Sequence, residues 1–234
     1  MLDREFATAH LLRTFDDPQA YGVHELFNQW WRYAPADVIA KYEQTFSADP
    51  DAKRWVEEGY YSEPLDLETL GRYAPGTLGR AYRDFIVENG LEAKIAMNYR
   101  VFHKMLEAQG ILKTMPKAIE YAVLRGFQTH DFQHVATGYR ATPRGEIALQ
   151  AFNLAQLRFP YAAMWISTVT TRMTYLDPNT IEPLMDDISE GWSYGRRAGN
   201  ITFARWEEML DRPLDDIRRE YGLKRDDDEV KLAA

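Results

Sequence analysis

The sequence has no cysteine in 234 residues, which removes disulfides, thiolate nucleophiles and thiolate metal sites together. Any metal must then be held by nitrogen and oxygen. Long apolar runs are also missing. The longest uncharged, strongly apolar stretch, Phe159 to Thr171, is shorter than the roughly 18 to 20 residues that cross a bilayer as a helix. The opening MLDREFATAH carries Asp3, Arg4 and Glu5 and lacks both an apolar signal core and the acid-poor character of an organellar presequence, so a cytoplasmic protein is expected. Nor is there a surplus of positive charge. Lys and Arg number 28 against 36 Asp and Glu, a net −8, so general attraction to phosphate backbones is not expected and nucleic acid is set aside as a partner.

What remains is a globular profile, 45% AVILMFWYC and 27% charged with no repetitive tract. Apolar residues recur at helical spacing in Leu78, Tyr82, Phe85 and Ile86, in Ile95, Tyr99, Phe102 and Leu106, and in Met115, Ala118, Ile119 and Ala122. Breakers separate these sets at Pro75, Asn89–Gly90, Gln109–Gly110, Pro143, Pro160 and Pro178. The expected fold class is all-α, a single multi-helix domain over residues 1–223. Residues 1–74 are looser and leave room for a docked N-terminal subdomain, and residues 224–234, KRDDDEVKLAA, read as a flexible tail.

Two of the five histidines fall in THDFQHVATGYRATPRGE, Thr129 to Glu146. Gly126 is expected to end or kink the helix before it, with Thr129 as the N-cap of a new turn. On a helix His130 and His134 stand one above the other, roughly 6 Å apart, the arrangement in which two imidazoles share one ion. Asp131 is rotated by about 100° from His130. It reaches the same ion only by bending around, and otherwise orients a ligand from behind. Thr142 reads as the N-cap of the next helix and Pro143 as its first residue, which places Glu146 one turn in. Gly145, not Glu146, occupies the capping-box position, so capping does not account for the glutamate.

The stretch resembles the His-Asp-x-x-His, eleven residues, Glu motif of the ubiquinone (coenzyme Q) biosynthesis family known as the fourth Coq protein, with His130, Asp131, His134 and Glu146 at its positions. Pro75–Gly90 and Gly195–Leu223 are similar to the same family in the same order. The resemblance implies an all-helical fold, a metal, zinc by family likeness, held by those four residues, and an apolar cavity between helices for a prenylated quinone precursor or other isoprenoid lipid. It also implies peripheral association with the inner membrane surface, other ubiquinone-biosynthesis enzymes as partners, a homodimer, and oxidative decarboxylation of a prenylated hydroxybenzoate ring.

Phe152 to Thr171 is a candidate wall for the lipid, although a buried helix pair reads the same way. Arg196 and Arg197 are candidates for a carboxylate or phosphate. Two other functions are weighed. A metal-dependent phosphohydrolase would use His103, His130 with Asp131, and Asp177, leaving His134 and Glu146 without a part. In a non-catalytic lipid-binding scaffold the ion would only staple two helices.

Overall fold

Proline and capping residues open most of the helices, and glycines in left-handed conformation close several. The structure, a computed structural model, describes residues 4–16, 23, 27, 28, 30, 31, 34–96 and 99–223, so the expected tail at 224–234 lies outside the described residues. In chain order the helices are α1 (Arg4–Asp16), α2 (Ala36–Ala48), α3 (Pro50–Glu58), α4 (Leu67–Gly71), α5 (Leu78–Glu88), α6 (Glu92–Ala96), α7 (Tyr99–Ala108), α8 (Lys117–Thr137), α9 (Pro143–Leu157), α10 (Pro160–Leu176), α11 (Ile181–Arg197) and α12 (Leu214–Glu220). There is no strand among the described residues beyond an isolated antiparallel bridge between Thr77 and Pro213, and the protein is all-helical.

The organising element is α8. Its N-terminal half, with Ile119, Tyr121, Ala122 and Leu124, packs into a core shared with Phe27, Trp31, Phe46, Trp55 and Phe203. Its C-terminal half, with Phe132, Val135 and Ala136, belongs to a second core formed by α5, α9, Tyr194, Trp206 and Ile217. Buried residues lie all round this helix, as expected of a core helix rather than an amphipathic surface one.

The helix runs unbroken through Gly126 from Lys117 to Thr137, contrary to the break expected there. The Thr129 hydroxyl donates instead to the carbonyls of Arg125, at 3.0 Å, and Thr202, also at 3.0 Å, so it ties α8 to a distant segment and caps nothing. Tertiary contact overrides the local cost of glycine, about 1 kcal/mol in a helix interior. The helix ends at Gly138, whose φ of 83° satisfies the last turn by donating its N–H to His134 O.

The next start is as expected from the sequence: Thr142 accepts from Gly145 N at 3.2 Å, and Pro143 opens α9. Helix α11 then lies very close to α9. A Cβ on Gly191 would collide with Ala148 O and one on Gly195 with Phe152 O, so only glycine allows this approach. A bidentate ion pair from Arg144 to the buried Asp187, at 2.6 and 2.8 Å, locks the pair at its other end.

The segment after α11 folds back over α8. Leu78 N and Gly79 N donate to Arg212 O and Leu210 O, and Arg218 donates to Val135 O and Ala136 O at the C-terminal end of α8. Fully buried Arg125 reaches Glu207 with both terminal nitrogens, at 2.7 and 2.8 Å, and Ala204 O at 2.6 Å. The stretches 75–90 and 195–223 singled out in the sequence thus buttress the helix that carries the histidines.

Candidate metal centre and its cavity

One turn apart on α8, His130 and His134 face Glu146 on the first turn of α9. His130 Nε2 lies 3.2 Å from Glu146 Oε2, and His134 Nε2 lies 3.2 Å from Glu146 Oε1. Donor atoms of these three residues fall within 4.8 Å of one another, the sole cluster of this kind among the described residues.

The far nitrogens of both rings are already engaged. His134 Nδ1 sits 3.1 Å from Tyr139 O. A carbonyl only accepts, so Nδ1 carries a proton, and Nε2 is the ring nitrogen turned towards Glu146. His130 Nδ1 sits 3.0 Å from Asp131 Oδ1, which fixes the same tautomer. Asp131 therefore stands at the side of His130 opposite Glu146 and is not part of the three-residue cluster. That is the orienting position of a carboxylate–histidine–metal arrangement.

Electrostatics agree with the geometry. Burial works against charge on His130, but the hydrogen bonds with Asp131 and Glu146 outweigh it and lift its pKa to about 9. Burial alone would raise the Glu146 carboxyl. The two imidazoles dominate and hold it far below the usual carboxylate range. His134 is fully buried, and its Nε2 has no hydrogen-bond partner of good geometry. A bare nitrogen lone pair 3.2 Å from a carboxylate oxygen repels it unless a cation or proton lies between. The residues fit a divalent metal: two neutral imidazoles and one carboxylate, with no thiolate.

The cluster opens on a cavity of about 710 Å³. His130, Asp131 and Glu146 contribute one wall, with Tyr82, Gln133, Gln150 and Asn153 beside them, while Phe27, Phe102, Phe127, Phe159 and Trp165 line the remainder. Burial and then the Asp131 charge push the Tyr82 phenol well up, so it stays protonated. Part of the Phe152–Thr171 stretch does border this space, through Asn153, Leu157, Phe159, Tyr161, Ala162 and Trp165.

Gly126 also borders the cavity, and a Cβ there would meet nothing within 4 Å. The glycine keeps this wall free of side chain. Its signal was in the sequence, as a glycine inside a helical pattern, but it reads there as a break. Gln133, Gln150 and Asn153 gave no signal, because neutral amides inside apolar helices have no spacing that marks them.

The other candidates lie apart. His103 faces Glu120 at 3.5 Å in a small separate pocket, and Asp177 is the C-cap of α10. Neither joins His130, so the phosphohydrolase set is not assembled among the described residues. Arg196 and Arg197 are exposed at the C-terminal end of α11 and do not border the cavity.

Fold and site together define an all-helical protein with a two-histidine, one-carboxylate cluster at the head of an apolar cavity. Residues 35–227 match the family described as coenzyme Q (ubiquinone) biosynthesis protein Coq4, and the chain belongs to that family. Relatives called ubiquinone biosynthesis protein, mitochondrial, include one from Yarrowia lipolytica, 25% identical over 198 residues, covering 81% of this chain and 68% of that protein. Another, from Ajellomyces capsulatus, is 25% identical over 182 residues (76% of this chain, 60% of the relative). A third, from Neurospora crassa, is 26% identical over 165 residues (70% and 43%). The matches thus span between about two fifths and two thirds of the relatives' length. A crystal structure from Nostoc punctiforme, described as that of a candidate ubiquinone biosynthesis protein, has the same fold: its TM-score is 0.75 at 22% identity, covering 96% of this chain and 100% of that one.

Proposed function

We propose that this chain acts in ubiquinone biosynthesis by binding a prenylated hydroxybenzoate-type intermediate with its polar ring at His130, His134 and Glu146 and its chain in the apolar cavity. The observation that carries this reading is the pair of imidazole Nε2 atoms converging on one carboxylate at the head of that cavity. His130, His134 and Glu146 would hold the metal, zinc by family likeness, and Asp131 would keep the His130 ring in its ligating tautomer. When bound, the ion supplies a positive charge and an open position that polarise a ring carboxylate or phenolate.

The protein's own side chains do the rest. Gln150 and the Asn153 Oδ1, which has no hydrogen-bond partner, offer neutral hydrogen-bonding groups to ring substituents, while Gln133, bonded to Thr202 O and Asn153 Nδ2, holds Asn153 in place; Tyr82 offers a phenol, and the aromatic wall keeps water away. At roughly 30 Å³ per non-hydrogen atom, the share a water takes in the liquid, the cavity holds on the order of 20 such atoms, enough for the ring and about two isoprene units. A longer chain must leave through the mouth.

The family likeness implies oxidative decarboxylation. In it the ring carboxylate leaves as carbon dioxide, one atom of dioxygen becomes the hydroxyl and the other becomes water, with two electrons from an external donor. Peripheral membrane attachment, partner biosynthetic enzymes and a homodimer belong to the same reading. No helix among the described residues is long and apolar enough to cross a membrane.

Glu146→Gln tests the function, because it keeps the side-chain size and removes the anionic ligand. The variant is expected to fold and to bind prenylated hydroxybenzoate, yet to lose most of its metal by elemental analysis and fail to convert the ligand when oxygen and reductant are supplied. Conversion at the parent's rate by a variant shown to be metal-free would overturn the metal-centred reading. A variant that loses metal, melting temperature and lipid together, from a parent that itself converts nothing, would mark a scaffold instead.

A further inference from the structure

Helix α7 has an apolar edge that is about half exposed. Leu106 is buried and Phe102 is half-buried, stacked on Phe127 with ring centroids 4.8 Å apart. Val101 and Met105, next round the helix, are 49% and 46% exposed. Beyond them come Lys104 and Arg100, also exposed. The surface therefore passes from core to exposed apolar to basic within one turn of rotation.

Two further facts distinguish this edge from the other exposed apolar residues. The first is continuity with the cavity: Met105 and Phe102 both line it, so the cavity reaches the surface at this helix. The second is charge. From Tyr99 to Lys117 the chain carries Arg100, Lys104, Lys113 and Lys117 against Glu107; Arg100 pairs with Glu63 at 2.6 Å and Lys117 with Glu120 at 2.9 Å, which leaves Lys104 and Lys113 as the basic side chains of this edge in a chain whose total is −8. By contrast Met185 and Trp192 on α11 are interspersed with Glu182 and Asp186, and neither borders the cavity.

We infer that the Val101–Met105 edge of α7 docks on the surface of a lipid bilayer containing anionic lipids, Val101 and Met105 entering the acyl boundary while Lys104 meets the headgroups, so that the cavity mouth opens directly onto the membrane. The inference rests on the lipid-cavity reading above and adds to it the face through which the lipid enters. Long basic side chains bordering an apolar edge suit that interface, since their stems bury and their charges stay wet. The attraction is local. A protein of net negative charge is held at this helix by charge and apolar contact together, and repelled elsewhere.

Flotation with vesicles tests it, using phosphatidylcholine alone and phosphatidylcholine with phosphatidylglycerol. The parent is expected to float with the mixed vesicles and weakly with the neutral ones. Val101→Glu with Met105→Glu should reduce binding to the mixed vesicles at least tenfold, roughly the cost of placing acids at the acyl boundary, and Tyr175→Glu should leave it unchanged. Lys104→Ala should weaken binding to mixed vesicles on the order of fivefold without affecting neutral ones. Melting temperature and metal content guard against misfolding, and Val101→Ser with Met105→Ser, expected to reduce binding in the same direction, replaces the acidic pair if it unfolds.

Vesicle binding by the α7 variants equal to the parent's overturns the proposal, as does a parent that binds neither kind of vesicle. A fall in particle mass in the α7 variants, with no change in flotation, would make the edge a contact between copies of the chain and overturn it too. A soluble hydroxybenzoate carrying two isoprene units separates this from the proposed function. Val101→Glu and Lys104→Ala, at positions that do not border the cavity, should bind it as the parent does, whereas a parent that fails to bind it sinks the lipid-cavity reading while the flotation result still reports on α7.

Discussion

At the scale of single residues the centre is defined by which nitrogen carries a proton. Below pH about 9 the metal-free His130 is an imidazolium held between Asp131 and Glu146, and an ion must displace its Nε2 proton to bind. Apparent metal affinity should therefore rise about tenfold per pH unit from 6.5 towards 9 and then level off. Calorimetry at pH 7 in buffers of different ionisation enthalpy should count about one proton released per ion. Release of none would place His130 outside the ligand set. The sign for stability runs the other way. The raised pKa stabilises the metal-free fold fully below the unfolded histidine value near 6.5, and that contribution is lost as pH rises through 9. The melting temperature of chelator-treated protein should fall over that window while the metal-loaded protein changes little. These residues were legible in the sequence because i, i+4 spacing on a helix is a distance, and Thr142–Pro143 fixes where the next helix begins. The part of Asp131 was left open because only the coordinates show which ring nitrogen it meets.

At the scale of helices the position of Glu146 depends on how α9 is held, and α11 does most of the holding. Gly191→Ala puts a methyl group into Ala148 O, an overpacking expected to cost about 1–3 kcal/mol. Thermal denaturation should show it, and metal affinity should fall with it because α9 carries Glu146. Gly126→Ala should do the opposite, adding about 0.5–1 kcal/mol of stability, since its methyl meets only open space. The pair tests whether glycine is present for contact or for room. Periodicity and breakers located most of these helices. They misjudged α8 at Gly126 because a glycine in a helix and a glycine at a helix end are the same letter. What keeps α8 going lies far away in sequence, in Thr202 and in the Arg125–Glu207 pair.

At the scale of the whole molecule, the His130–His134–Glu146 cluster, the cavity and the α7 edge lie along one path from the interior to the surface. Gly126→Leu should plug that path without touching a ligand. Metal content should stay at the parent's level while binding of prenylated hydroxybenzoate, followed by tryptophan fluorescence, falls by an order of magnitude or more, on the scale of a side chain forced into filled space. Retained binding would move the ligand elsewhere. The cavity itself was not legible in the sequence, because its lining comes from segments between Phe27 and Glu207, and aromatic residues facing a void have the same spacing as those facing a core. The three residues of the cluster present the reverse case. His130, His134 and Glu146 all fall within one helical hairpin, α8 turning into α9, so bringing them together closes only a short loop and can happen early, before the distant segments that wall the cavity arrive. An ion present during refolding should therefore speed the folding limb itself and not merely slow unfolding, and stopped-flow refolding with and without zinc would show a hairpin that serves as the nucleus on which the remaining helices assemble.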